Sequence, residues 1–281
     1  MSKYKAPAHL DQETANRYRK EGYEYAVDWY NSSKQPPIST NKSSFSRDSE
    51  KDLVELYMNK KGKNTEGVWK WLHYLEAYNC HFQRFVNKEV HILEIGVYSG
   101  GSLSLWREFF GNKCHVYGVD IEDCTQFSKN NTKIFVGDQA DPQFWKRIRE
   151  AVPKIDIIID DGGHQSHQII SSLKEMLSHI SPGGIYVIED LQGTYNEGAQ
   201  CFLQGLIAEL YYFNINSDYF KTTPDDAPNI QIWPQGLQRW IRSISIYPLL
   251  CIIEKNTKEK DLLDAPKVGG VWNPIAEKTK M

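Results

Sequence analysis

The chain is 281 residues long, 40% hydrophobic and 25% charged, which allows a full core in one large decorated domain rather than two equal ones. Its net charge of -3 offers no basic field, so nothing argues for nucleic acid or an anionic membrane as a partner. The apolar run from Ile244 to Ile253 contains Pro248 and falls well short of the roughly 20 residues that span a bilayer, and residues 1–20 are polar with no apolar signal core.

Residues 1–47 read as peripheral: an amphipathic helix from Glu13 to Tyr30, then a Ser-, Asn-, Lys- and Pro-rich linker or flap to Ser46. Residues 48–88 form a helical lid or substrate region. Ser49-Glu50-Lys51-Asp52 has capping-box spacing and opens a helix carrying Leu53, Leu56 and Tyr57. A second helix is predicted from Trp69 to Val86, with Trp71, Leu75, Tyr78, Phe82 and Phe85 as a core-packing stripe. From Val90 the texture becomes strand-helix-strand, and residues 89–256 read as one α/β domain. Strands are predicted at Val90–Ile95, His115–Val119, Lys133–Val136, Ile155–Asp160 and Gly184–Ile188. Asp141-Pro142 caps a helix through Val152, Gln165 to His179 has helical spacing, and Glu197 to Leu210 should be helical. Tyr211 to Pro234 reads as an irregular insertion in which Asp225 and Asp226 are solvated. Trp240–Ile246 with Leu249–Glu254 reads as a closing hairpin, and residues 257–281 as a loosely held polar tail. The alternation predicts a mostly parallel sheet with helices on both faces. Cys80, Cys114, Cys124, Cys201 and Cys251 are scattered and odd in number, as reduced thiols of a cytoplasmic protein would be.

Acids stand at the ends of successive strands. Asp160 and Asp161 close one buried Ile-rich run, Glu189 and Asp190 close another, and His164 follows the first. If those strands are adjacent and parallel, four carboxylates meet His164 on one rim, where a positive group is needed to offset their repulsion. A hard divalent cation with oxygen ligands suits that place. Glu94-Ile95-Gly96-Val97-Tyr98-Ser99-Gly100-Gly101 follows a strand and opens a helix, as a nucleotide-binding loop does, yet Tyr98 replaces the close-approach glycine that a pyrophosphate requires. Glu94 instead suits a cationic aminoacyl group, Asp120 a ribose diol, and Asp138 an exocyclic amine of adenine. The plainer account of each acid alone is a surface carboxylate, and of His164 a helix cap or packing residue.

These segments, with Ser102, Tyr117-Gly118-Val119-Asp120, Gly137-Asp138-Gln139 and Ile159-Asp160-Asp161-Gly162-Gly163-His164, resemble the class I S-adenosylmethionine-dependent methyltransferases. More narrowly, residues 53–255 resemble the magnesium-dependent sugar O-methyltransferases of macrolide and aminocoumarin biosynthesis. The resemblance implies a Rossmann-like seven-stranded sheet, mostly parallel, with a C-terminal antiparallel hairpin and an N-terminal helical extension. It implies S-adenosylmethionine and Mg2+ as cofactors, and a small-molecule or glycan acceptor with vicinal hydroxyls. Asp161, Glu189 and Asp190 match the metal-binding acids, and His164, with Asp161, the catalytic pair. Glu94, Gly96, Tyr98, Ser102, Asp120, Asp138 and Gln139 fall on cofactor-binding motifs, and Asp160 bonds backbone amides or the cofactor. The family's Gly-Thr-Asp-Lys-like segment is replaced here by Lys61-Gly62-Lys63-Asn64-Thr65. Cephalosporin hydroxylases share the neighbourhood, and a non-catalytic cofactor-binding protein is the other class of reading. The aromatic helices and polar tail leave room for a homo-oligomer.

Overall fold

Two-sided burial of short Ile- and Val-rich runs sets the architecture of the computed structural model. It describes residues 51–129, 131–211, 229–232, 234 and 236–266, with the isolated positions 13, 20 and 24. The predicted 13–30 helix, the 31–46 linker, Ser49, Asp225 and Asp226 therefore lie outside the described residues or nearly so. The chain divides into two compact units, residues 49–214 with 228–272, and residues 1–48 with 215–227 and 273–281. The strands and helices named below all belong to the first.

Its helices are α1 (Leu53–Met58), α2 (Leu72–Phe82), α3 (Gly101–Phe110), α4 (Pro142–Ala151), α5 (Ser166–Met176) and α6 (Glu197–Tyr211). The strands are β1 (Val90–Ile95), β2 (Cys114–Asp120), β3 (Thr132–Val136), β4 (Ile155–Asp160), β5 (Ile180–Ile188), β6 (Asn229–Ile232), β7 (Ile241–Tyr247), β8 (Leu250–Lys255) and β9 (Leu263–Pro266). Seven of them form one sheet in the order β3-β2-β1-β4-β5-β8-β7. β3 through β5 are parallel, while β8 and β7 join antiparallel as the expected hairpin. Strand order reverses between β1 and β4, and a crevice opens there beyond the carboxyl ends. Among the described residues no helix is long and apolar enough to cross a membrane.

Side-chain parity sorts the strands into two cores. Ile92, Val116, Ile157 and Val187 pack in one with Leu75, Tyr78, Phe82 and Trp106. Leu93, Ile158, Tyr186 and Ile188 pack in the other with Trp145, Leu173 and Leu203. Buried faces on both sides explain why these strands read as continuous apolar runs.

Three local expectations are corrected. Helix α2 begins at Leu72 rather than Trp69, and Trp69 and Trp71 stand exposed at 88% and 52%. Its buried positions are Tyr74, Leu75, Ala77, Tyr78 and Phe82, so the predicted stripe holds at Leu75, Tyr78 and Phe82, while Trp71 stands outside it and Tyr74 and Ala77 join it. Helix α1 is capped by Asp52, whose carboxylate accepts from the amides of Val54 and Glu55. Finally, β6 and β9 pair antiparallel, so part of the supposed insertion and part of the supposed tail are ordered against each other.

Candidate active site

Backbone strain marks where the site lies. Among the described residues only five other than glycine have positive φ, and three of them, Tyr98 (48°), His164 (56°) and Asp190 (55°), sit on the loops after β1, β4 and β5. Such conformations cost of order 1–3 kcal/mol each and persist where surrounding contacts hold them. Asn196, fully buried, supplies one such hold: its amide nitrogen donates to the carbonyls of Asp190 (2.8 Å) and His164 (3.3 Å), tying the two rim loops together. Gly96 has φ 91°, and a Cβ there would collide with the Asp161 carbonyl, so the β1 and β4 loops approach backbone to backbone.

A cavity of about 830 Å³ opens over these loops, lined among others by Gly96, Tyr98, Asp120, Asp138, Asp161 and His164. Its volume lies in the range of small-molecule sites.

Its wall carries a charge cluster that sequence reading missed, with Lys70, Asp161 and Glu189 on the lining. The Lys70 ammonium, 1% exposed, is 2.6 Å from Asp161 Oδ2, 2.8 Å from Glu189 Oε1 and 3.2 Å from Glu94 Oε1. Burial alone would lower the Lys70 pKa, but Asp161, Glu189 and Glu94 together more than reverse this and hold it well above its ordinary value. Glu189 also accepts from Tyr78 Oη at 2.6 Å. Its pKa is pushed up to about 8, because burial and the Asp161 charge outweigh the opposing Lys70. One ammonium thus serves three carboxylates.

The predicted residues separate into distinct surroundings. Asp161, His164 and Asp190 come together on the rim, with His164 Nε2 3.7 Å from Asp161 Oδ1 and 3.9 Å from Asp190 Oδ2. Asp190 is positioned by Tyr74 Oη (2.8 Å) and Trp71 Nε1 (3.2 Å), both donating to Oδ1. Glu189 faces Lys70 and Tyr78 rather than this trio. Glu94, fully buried, takes Ser102 Oγ (2.6 Å) and Trp106 Nε1 (3.0 Å) on one oxygen and faces Lys70 with the other. It therefore lies off the cavity lining, beside Lys70. Asp160 likewise lies off the lining: it is 1% exposed and bonded by Ser172, Gln139 Nε2 (3.1 Å) and Tyr186 Oη (3.2 Å). Parity explains both placements. Asp160 shares the α4–α5 face with Ile158, whereas Glu94 and Glu189 share the α2 face with Ile92 and Val187.

On the cofactor side, Asp120 Oδ2 accepts from the amides of Val97 (2.8 Å) and Tyr98 (3.0 Å), and so shapes the glycine loop while lining the cavity. Asp138 lines it too, with Oδ1 on the Ala140 amide at 2.8 Å. Gln139 spends its side chain on Asp160 and on the Gly163 amide (2.8 Å), bracing the His164 loop. Ser102 lines the cavity with its hydroxyl turned to Glu94, and Tyr98, 79% exposed, forms part of the rim.

The rim fits a divalent cation by its donors. Asp161, His164 and Asp190 offer ligand atoms all within 4.8 Å of one another. Two carboxylates open to a cavity suit a hard ion that keeps solvent or substrate oxygens. The two-His-one-carboxylate set of an iron hydroxylase is not what the rim presents.

A Rossmann-like sheet, a glycine loop at the strand reversal and acids at successive strand ends make up a methyltransferase fold. Residues 93–191 match the methyltransferase-domain family. The chain is 31% identical over 209 residues to demethylmacrocin O-methyltransferase of Streptomyces fradiae, covering 68% of this chain and 51% of that one. It is 37% identical over 199 residues to mycinamicin VI 2''-O-methyltransferase of Micromonospora griseorubida, covering 65% of this chain and 48% of that one. Among solved structures, the MycE methyltransferase of the mycinamycin biosynthetic pathway, in complex with Mg and SAH, superposes with a TM-score of 0.58 at 28% identity, over 74% of this chain and 55% of that one. The chain thus spans about half the length of the curated relatives it matches.

Proposed function

We propose that the protein is a metal-dependent O-methyltransferase that moves a methyl group from S-adenosylmethionine to a hydroxyl of a sugar or polyhydroxylated natural product. One observation carries this reading: a single cavity has the strained glycine loop with Asp120 and Asp138 on one side, and Asp161, His164 and Asp190 on the other. Relatives that the chain spans to about half their length are O-methyltransferases by name, and the MycE structure holds Mg with SAH, which supports the cofactor pair.

Asp120 and Asp138 face the cavity where adenosine would lie, with free acceptor lone pairs for ribose hydroxyls and an exocyclic amine. Asp161 and Asp190 would hold a divalent cation, with Glu189 behind them once Lys70 gives way. When bound, such an ion lowers the pKa of a coordinated hydroxyl and fixes its direction. His164 then takes the hydroxyl proton on Nε2, the nitrogen nearest the two carboxylates. Asp161 and Asp190 also stabilise the imidazolium formed. Trp71 and Tyr74 hold Asp190, and Asn196 holds both loops, so the base and its flanking acids keep one geometry through the transfer. All five cysteines are free thiols, in keeping with a cytoplasmic setting.

The test is methyl transfer from S-adenosylmethionine to a panel of sugars and glycosides bearing vicinal hydroxyls, read by mass spectrometry with and without EDTA. Metal-dependent gain of one methyl on a diol-bearing acceptor is expected. Absence of any transfer, together with no thermal shift on adding S-adenosylhomocysteine, would remove the proposal.

A further inference from the structure

A second group of metal-ligating side chains lies at the amino ends of the central strands, away from the cavity. Residue 91 is second from the amino end of β1, and the parallel register sets His91 directly beside His115 of β2. The two imidazoles stand with centroids 4.7 Å apart and planes 13° from parallel. Glu89, exposed just before β1, is two residues from His91, so its side chain falls on the same face. Ligand atoms of Glu89, His91 and His115 all lie within 4.8 Å of one another. Strand rise puts His91 about 13 Å from the end of β1 where the cavity opens, so the two groups do not share an ion.

We propose that Glu89, His91 and His115 form a transition-metal site of the zinc class, independent of the methyl-transfer cavity. Three features of the surroundings favour it over chance histidine stacking. Tyr117 Oη lies 3.2 Å from His91 Nδ1, and that hydrogen bond leaves Nε2 as the free nitrogen. A metal-ligating imidazole is normally oriented by just such a partner on its other nitrogen. The His91 amide donates to Asp156 Oδ2 at 2.9 Å, fixing the backbone from which the ring projects and adding negative charge nearby. Third, the donor set is selective. Two imidazoles and one carboxylate suit Zn2+, Ni2+ or Co2+ with water completing the shell, and disfavour Mg2+ and Ca2+, which prefer oxygen. Donors on a tetrahedral ion at about 2.1 Å stand roughly 3.4 Å apart. Rotation of the exposed Glu89 and partly exposed histidine rings closes the remaining gap. Bound there, the ion would clip β1 to β2 at their amino ends, away from catalysis.

Isothermal titration of the full chain with Zn2+, in excess Mg2+ to occupy the oxygen-rich rim, tests this. One zinc equivalent is expected, accompanied by a rise in Tm. His115→Gln should weaken it at least tenfold, and Glu89→Gln and Tyr117→Phe by smaller factors. His164→Ala combined with Asp190→Asn should leave it intact. Because Glu89 is exposed, Glu89→Gln keeps the fold and remains informative if a histidine variant is unstable. Absence of any zinc equivalent, unchanged affinity in both Glu89→Gln and His115→Gln, or loss only in the His164/Asp190 variant would overturn the proposal.

Discussion

Helix α2 and the residues flanking it supply cations to two acid clusters with opposite balances. At its amino end, Lys70 alone faces Asp161, Glu189 and Glu94, and the Glu189 pKa rises to about 8. Around its carboxyl end, Glu254 alone receives His81 Nδ1 (2.8 Å) and Arg84 Nη1 (2.9 Å), with Arg242 at 3.8 Å. There the His81 hydrogen bond, aided by Arg84 and opposed by burial, pulls the acid down to about 2. A buried acid with surplus cations is a fastener. Two buried acids and a half-buried third sharing one cation are a site short of positive charge, and that shortage opens on the side where Asp161 meets His164 and the cavity.

The sharpest break in this comparison removes chemistry without touching either balance. His164→Ala should retain S-adenosylhomocysteine binding and lose turnover by about 10²–10⁴-fold, the usual contribution of a general base; a mass-spectrometric assay of transfer checks it, and undiminished turnover would exclude the role. Next in size, Lys70→Met strands Glu94 and Glu189 in the interior and leaves Asp161 at the rim without its cation. In EDTA it should cost about 3–5 kcal/mol of stability by urea unfolding, as breaking a buried ion pair does. Magnesium should then raise its Tm more than that of the wild type, since the ion meets no resident cation. Smaller again, Asn196→Ala frees the Asp190 and His164 carbonyls and relaxes two positive-φ loops. It should cost about 1–3 kcal/mol and lower kcat more than it raises KM for S-adenosylmethionine.

What the sequence disclosed tracks the range of the interactions involved. Strands, their order of appearance and the rim acids were legible because burial on both faces leaves an unbroken Ile/Val run and because Gly, Pro and Asp punctuate its ends. The true directions of Asp160, Glu94 and Glu189 were legible in principle, since counting by twos from the core residues assigns each to a face. Lys70 was not: its partners Asp161 and Glu189 lie 91 and 119 residues away, and only the closed sheet brings them together. Flanking Trp69 and Trp71 misled further, because two tryptophans at an apparent helix start suggest burial while both remain exposed over the cavity rim. Asn196 gave no local signal either, as its value lies in joining two loops, one of them more than 30 residues away.

The cation-rich cluster has the smallest expected effect and the clearest sign. Glu254 has a folded-state pKa of about 2 against 4.5 when unfolded. A depressed carboxylate contributes stability that is present above the unfolded value and is lost as pH falls through the folded one. Between pH 4.5 and 2 the protein should therefore lose a Glu254-dependent increment of roughly 1–2 kcal/mol, reduced from the ideal linkage figure because Arg84 and Arg242 are partly solvated. Glu254→Gln should remove that increment at pH 7 and flatten the acid limb of a plot of urea-derived stability against pH. An unaltered slope would mean that His81 and Arg84 fasten β8 to α2 by packing alone, and the contrast between the two clusters would then be one of geometry rather than charge.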